Sequence, residues 1–170
     1  MKQVLYAGLV FGLVPVQTTV LHYASIGGMR PDLCLVTACL VGFLAGEFEG
    51  MMLGLALGFM QDLFSAGELW LNMVTKGSIG LLAGLAGRYL ANATPVAMLA
   101  TMLGLSILSG TVFLVSVRTG QGLADAFLAV RSVMLPQAVL DAAVGVGVYW
   151  LIVSRGRPDQ ATQEKTSPLW

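Results

Sequence analysis

Five residues of this chain combine polar chemistry with apolar surroundings: Asp62, Asn72, Lys76, Gln137 and Asp141. Each lies within or at the end of a long apolar run. An ionisable side chain near the middle of a membrane helix costs about 2.5–3.5 kcal/mol on insertion scales, so it usually faces a partner or a cavity. Lys76 stands about 9 Å from one end of its run and Asp141 about 14 Å from the same side, at ~1.5 Å per helical residue. A lysine side chain bridges that difference. Asp62 closes the preceding run at a depth similar to Asn72 and Lys76, and Gln137 stands one helical turn before Asp141 on the same face. The expectation is a polar cluster in which Lys76 pairs with Asp141 or with Asp62. Three chemistries fit it: a buried pair that fixes helix register, a proton or substrate relay, or a carboxyl kept uncharged by low dielectric.

A second pattern runs through the same region. Gly50, Gly54 and Gly58 recur every four residues and lead to Asp62, while Gly77, Gly80, Gly84 and Gly87 follow Lys76. Small residues at this spacing form a smooth stripe along a helix and let backbones approach closely in lipid. The stripes of Gly50, Gly54 and Gly58 and of Gly80 and Gly84 serve either packing within the chain or docking of a partner's membrane helix.

Other chemistry is not signalled. No nucleophile elbow, phosphate loop, zinc spacing or pair of catalytic carboxylates occurs, so enzyme activity and a bound cofactor are not expected. Cys34 and Cys39 are five positions apart in one apolar run, point in different directions, and read as buried free thiols. His22 is the only histidine and has no Cys near it. Glu47 and Glu49 flank a tight turn and read as solvated charges. Trp70, Tyr89, Tyr149 and Trp150 fall near the ends of runs, as interfacial aromatics do.

The elements that must hold these residues follow from composition. Hydrophobic residues make up 56% of 170, with 21 glycines besides, against about 45–50% apolar including glycine in soluble domains. Lys plus Arg and Asp plus Glu number nine each, which gives no surplus to attract nucleic acid. The expectation is one all-α integral membrane domain over residues 1–154. Apolar runs over about 3–21, 31–46, 48–65, 70–91, 96–117 and 132–153 are read as six transmembrane helices. The first resembles a signal peptide, but without a convincing cleavage site it reads as a span. The second offers only about 21 Å between Asp32 and Glu47 at ~1.5 Å per residue. A re-entrant hairpin of the second and third runs is therefore an alternative.

With both termini cytoplasmic, Lys2, Arg88, Arg155, Arg157 and Lys165 lie inside, and Arg30, Arg118 and Arg131 lie outside. That modest bias follows the positive-inside rule. The loop from Arg118 to Arg131 carries Leu123, Ala126, Phe127 and Val130 at helical spacing, as an interfacial helix does. Residues 155–170 turn polar and read as a disordered cytoplasmic tail.

Several motifs resemble those of the rod shape-determining protein MreD family. They are Gln17-Thr18-Thr19, the stretch Ile26 to Leu33 with Pro31 and Asp32, Gly46 to Gly50 with Gly54 and Gly58, Gln61-Asp62-Leu63-Phe64-Ser65, Leu69 to Asn72 leading into Gly80, and Leu135-Pro136-Gln137 to Tyr149. The likeness covers nearly the whole chain, and each motif is short. It implies a bacterial inner-membrane, multi-pass, non-enzymatic scaffold subunit of the cell-elongation machinery. Such a protein binds the bitopic protein MreC, acts with MreB, RodA and a transpeptidase, and supports lateral peptidoglycan synthesis and cell shape. Lys76 and Asp141 depart from that family's largely apolar spans. Chains of this kind are similar in fold to the six-helix substrate-binding components of energy-coupling-factor vitamin transporters. A small-molecule transporter subunit, with Asn72, Lys76, Gln137 and Asp141 lining a cavity, is the alternative function.

Overall fold

The computed structural model describes residues 2–20, 30–64, 70–89, 94–117, 128 and 130–155. Six α-helices account for nearly all of them: α1 Lys2–Pro15, α2 Leu33–Ala45, α3 Glu47–Phe64, α4 Leu71–Tyr89, α5 Pro95–Val117 and α6 Leu135–Arg155. The protein is all-helical, with no strand among the described residues. Two π-helical turns, Val16–Val20 after α1 and Val130–Met134 before α6, complete the elements. Pro15 directly precedes the first and Pro136 follows the second by two residues, and a proline's missing N–H interrupts the regular helical ladder. Thr19 donates its hydroxyl to the Pro15 carbonyl across the first of these turns. The interfacial helix expected over 118–131 lies almost wholly outside the described residues, as do His22 and the tail beyond Arg155.

The helix ends follow local chemistry. Asp32 caps α2, its carboxylate accepting from the Leu35 N–H at 3.0 Å, as an N-cap acid does. Thr94 does the same for α5, accepting from the Ala97 N–H at 3.2 Å, and Pro95 takes the first helical position, where no N–H is needed. Between α2 and α3 the chain turns on Gly46 alone, at φ 112°, a conformation that side chains with a Cβ rarely adopt.

Helix α2 is the centre of the bundle. Cys34, Leu35, Val36, Ala38, Cys39, Leu40, Gly42 and Phe43 are all buried, which takes in most of the helix surface and leaves the face of Leu44 open. A helix that is apolar all round needs such a position. On one side α2 packs with Ile79 and Ala83 of α4, Met98 and Met102 of α5, and Ala142 and Tyr149 of α6. On the other side Cys34 joins Val10 and Val14 of α1 and Leu53 and Leu57 of α3. Cys34 and Cys39 are free thiols within these two cores. Tyr149 is buried rather than interfacial, because it shares the inward face of α6 with Ala142. Its ring meets Phe43 edge to face, with centroids 6.2 Å apart.

The outside of the bundle is apolar. Phe11, Phe48, Phe59, Leu63, Val96, Phe113, Val115, Val139, Trp150 and Ile152 are among the exposed large side chains. Asp62, Lys76, Ser106 and Asp141 are buried. This is the reverse of a soluble protein, where charge is outside and large apolar patches are rare. Two helical stretches are long and apolar enough to cross a membrane, Pro95–Ser116 with mean hydropathy 2.0 and Val130–Ser154 with 1.5. Shorter apolar helices run over Tyr6–Pro15 and Leu33–Ala45.

The tightest seam joins α3 to α4. A methyl group at Gly54 would collide with the Lys76 carbonyl oxygen, one at Gly58 with that of Asn72, and one at Gly80 with that of Gly50. A methyl at Gly84 would strike the Glu47 backbone, and one at Gly50 would strike Gly42 of α2. Both glycine stripes are therefore occupied by the chain's own backbone. In this structure no room remains along them for a further helix.

Candidate functional site

Lys76 and the acids around it form one connected chain at the end of the bundle where α2 and α4 begin. Lys76 is 2% exposed, Asp62 1% and Asp141 0%. The Lys76 ammonium lies 2.9 Å from Oδ2 of Asp32 and donates to Oδ1 of Asn72 at 2.9 Å. Asn72 in turn donates its side-chain amide to Oδ1 of Asp62 at 2.8 Å. Asp62 also accepts the backbone N–H groups of Asn72 at 3.2 Å and Met73 at 2.9 Å. A side chain from α3 thus caps the start of α4, where unpaired N–H groups and the helix dipole favour an anion.

Asp32 is the hub. Besides Lys76 and its own cap, its carboxylate accepts from the Gln17 amide at 3.1 Å. The Gln17 carbonyl oxygen accepts the Cys34 N–H at 3.1 Å, so Gln17 ties the end of the α1 segment to the start of α2. The Asp32 N–H donates to Oδ1 of Asp141 at 2.8 Å, and the Ser106 hydroxyl donates to Oδ2 at 2.6 Å. All six helical segments therefore meet through Gln17, Asp32, Asp62, Asn72, Lys76, Ser106 and Asp141.

The structure brings Asp62, Asn72, Lys76 and Asp141 together and leaves the half-buried Gln137 outside the hydrogen-bonded chain. It also corrects the partner of Lys76. The ion pair is with Asp32, not with Asp141 or Asp62. The reason is competition: Asp62 is committed to the start of α4, and both Asp141 oxygens already accept from other donors. Gln17 and Ser106 carry no signal in the sequence that marks them as part of the cluster. Asp32 does carry one, since an acid directly before an apolar run reads as an N-cap.

Removing one partner from a buried ion pair costs about 3–5 kcal/mol, because the other charge is left without compensation. The arrangement is suited to fixing helix register and orientation. It joins segments that the sequence separates by up to 109 positions.

At the opposite end, Tyr6 of α1 donates its hydroxyl to the Glu49 carboxylate. Glu47 pairs with Arg88 of α4 at 3.0 Å. These two acids, expected as solvated charges, each make a contact between helices. The Arg88 side chain remains largely exposed, so that pair contributes little.

The bundle and its buried charges define the class, an all-helical protein with an apolar exterior and an ionic interior. No family model matches the chain, and neither a curated protein nor a solved structure matches it.

Proposed function

We propose that the chain is a multi-pass bacterial inner-membrane scaffold of the cell-elongation complex, of the MreD kind. In this reading it binds an MreC-like bitopic protein and supports lateral peptidoglycan synthesis. The six helices all cross the membrane, and both termini are cytoplasmic. The short α2 is tolerated because protein covers most of its surface, so its length need not match the bilayer.

One observation carries the proposal. Several residues of its MreD-like motifs help to build the interior. Asp32, Asp62 and Asn72 belong to the hydrogen-bonded chain, and Gly50, Gly54, Gly58 and Gly80 form the seam. That coincidence fits motifs that specify a rigid membrane body rather than a reaction centre. The apolar exterior supports the bilayer setting. A vitamin-type transporter subunit is less well supported, because Asn72, Lys76 and Asp141 bond to neighbouring side chains and backbone rather than line a cavity.

Depletion in a rod-shaped host, followed with a fluorescent cell-wall precursor, tests the proposal. Lateral incorporation should fall before division-site incorporation does. Unchanged lateral incorporation together with impaired uptake of a small molecule would favour the transporter and reject the scaffold.

A further inference from the structure

The hydrogen-bonded chain contains two buried carboxyl groups, Asp62 and Asp141, the partly buried carboxyl of Asp32, and one ammonium, Lys76. The fold answers the charge of two of them. Asp62 sits on the N–H groups of Asn72 and Met73 at the start of α4, where the helix dipole favours an anion. Asp32 caps α2 and holds Lys76 at 2.9 Å.

Asp141 has less support than either. It lies inside α6 and is fully buried, no cation pairs with it among the described residues, and the single N–H it takes from the start of α2 is that of Asp32, itself an acid. Among the described residues its donors are the Asp32 N–H at 2.8 Å and the Ser106 hydroxyl at 2.6 Å. The groups facing it are Asp32 from the start of α2, Ser106 from α5, and Lys76 from α4, which Asp32 already engages. Asp32 has the same charge sign, and two ionised carboxylates at this junction would repel. A buried carboxylate without a cation takes up a proton rather than remain charged.

We propose that Asp141 is a proton-binding site. Its acid form donates from Oδ2 to the Ser106 hydroxyl oxygen while Oδ1 accepts the Asp32 N–H. The 2.6 Å separation admits the proton on either oxygen, so protonation of Asp141 reverses the Ser106 bond without moving the heavy atoms. The bound proton joins α6 to α5 and to the start of α2. Its release would place two negative charges side by side at this junction and loosen it. The inference rests on burial and charge count and is independent of the scaffold reading.

Infrared spectroscopy of the purified full chain in detergent, in H2O and D2O at neutral pH, tests this. A protonated-carboxyl C=O stretch should be present, shift in D2O, vanish in Asp141→Asn, and persist in Asp32→Asn and Asp62→Asn. Ser106→Ala should move the band by removing its hydrogen-bond partner. Asp141→Asn retains the neutral charge state, so its Tm should stay within about 3 °C of the native protein, while Asp32→Asn strands Lys76 and should fall by about 10 °C. Absence of the band, its survival in Asp141→Asn, or equal destabilisation by Asp141→Asn and Asp32→Asn would overturn the proposal. If Asp141→Asn does not fold, an unmoved band in Ser106→Ala overturns it instead.

Discussion

Gly54→Ala adds one methyl group where α3 crosses α4. The new carbon would collide with the Lys76 carbonyl oxygen and would lie 2.7 Å from the Lys76 carbonyl carbon and 3.0 Å from the Gly77 nitrogen. Ordinary carbon contact is about 3.5 Å, so the helices must separate by at least ~0.8 Å, and a gap of that order forfeits a quarter to a half of the dispersion energy of each contact it opens. Both sides are backbone, so no rotamer change relieves the strain. Overpacking of this kind costs about 1–3 kcal/mol, and the upper end applies here. Replacing a helical glycine with alanine returns about 1 kcal/mol. The net loss is about 2 kcal/mol, or a Tm lowered by about 4–8 °C for a chain of this size.

The control is built into α1. Gly8 and Gly12 have the same four-residue spacing, but a methyl at either meets nothing within 4 Å. Gly8→Ala should leave Tm unchanged or raise it. Thermal unfolding of the three proteins, followed by tryptophan fluorescence in one detergent at one scan rate, makes the comparison. Equal Tm values for Gly54→Ala and Gly8→Ala would refute the backbone seam.

The other predictions use the same measurement. Lys76→Met alone should lower stability by about 3–5 kcal/mol, and combining it with Asp32→Asn, which keeps the α2 cap while removing the charge, should recover part of the loss; a double variant no better than the single would deny the pairing. Asp62→Ala strands the N–H groups of Asn72 and Met73 and should cost about 2 kcal/mol, with protection of the α4 amides from hydrogen exchange lost first. Gly145→Ala meets only the flexible end of Met102 and should change stability by less than about 0.5 kcal/mol, far less than Gly54→Ala.

The helical class was legible because apolar runs are punctuated by residues with a clear physical role. Asp32 and Thr94 cap, Gly46 turns, and Pro95 opens a helix. The density of polar groups around Lys76 was legible too, from depth along each run. Its partner was not. Depth puts Asp62 and Asp141 within a lysine's reach, and the choice of Asp32 instead depends on how the start of α2 is wedged between α4 and α6. Ser106 is invisible for the same reason, since one serine in an apolar helix has no distinguishing pattern. The glycines show the limit most clearly. Gly8 and Gly12 repeat the spacing of Gly54 and Gly58, yet one pair is open and the other is filled by backbone. Spacing marks a surface able to pack closely, and only the placement of the neighbouring helix decides whether it does.

In the function proposed, this helical body holds a bitopic partner in the elongation complex. Purification of the full chain from its native membrane in mild detergent, with mass spectrometry of what accompanies it, tests that most directly. The account predicts stoichiometric recovery of an MreC-like protein with one membrane span. Recovery of paired ATPases with a coupling subunit, or of a bound vitamin, would contradict it.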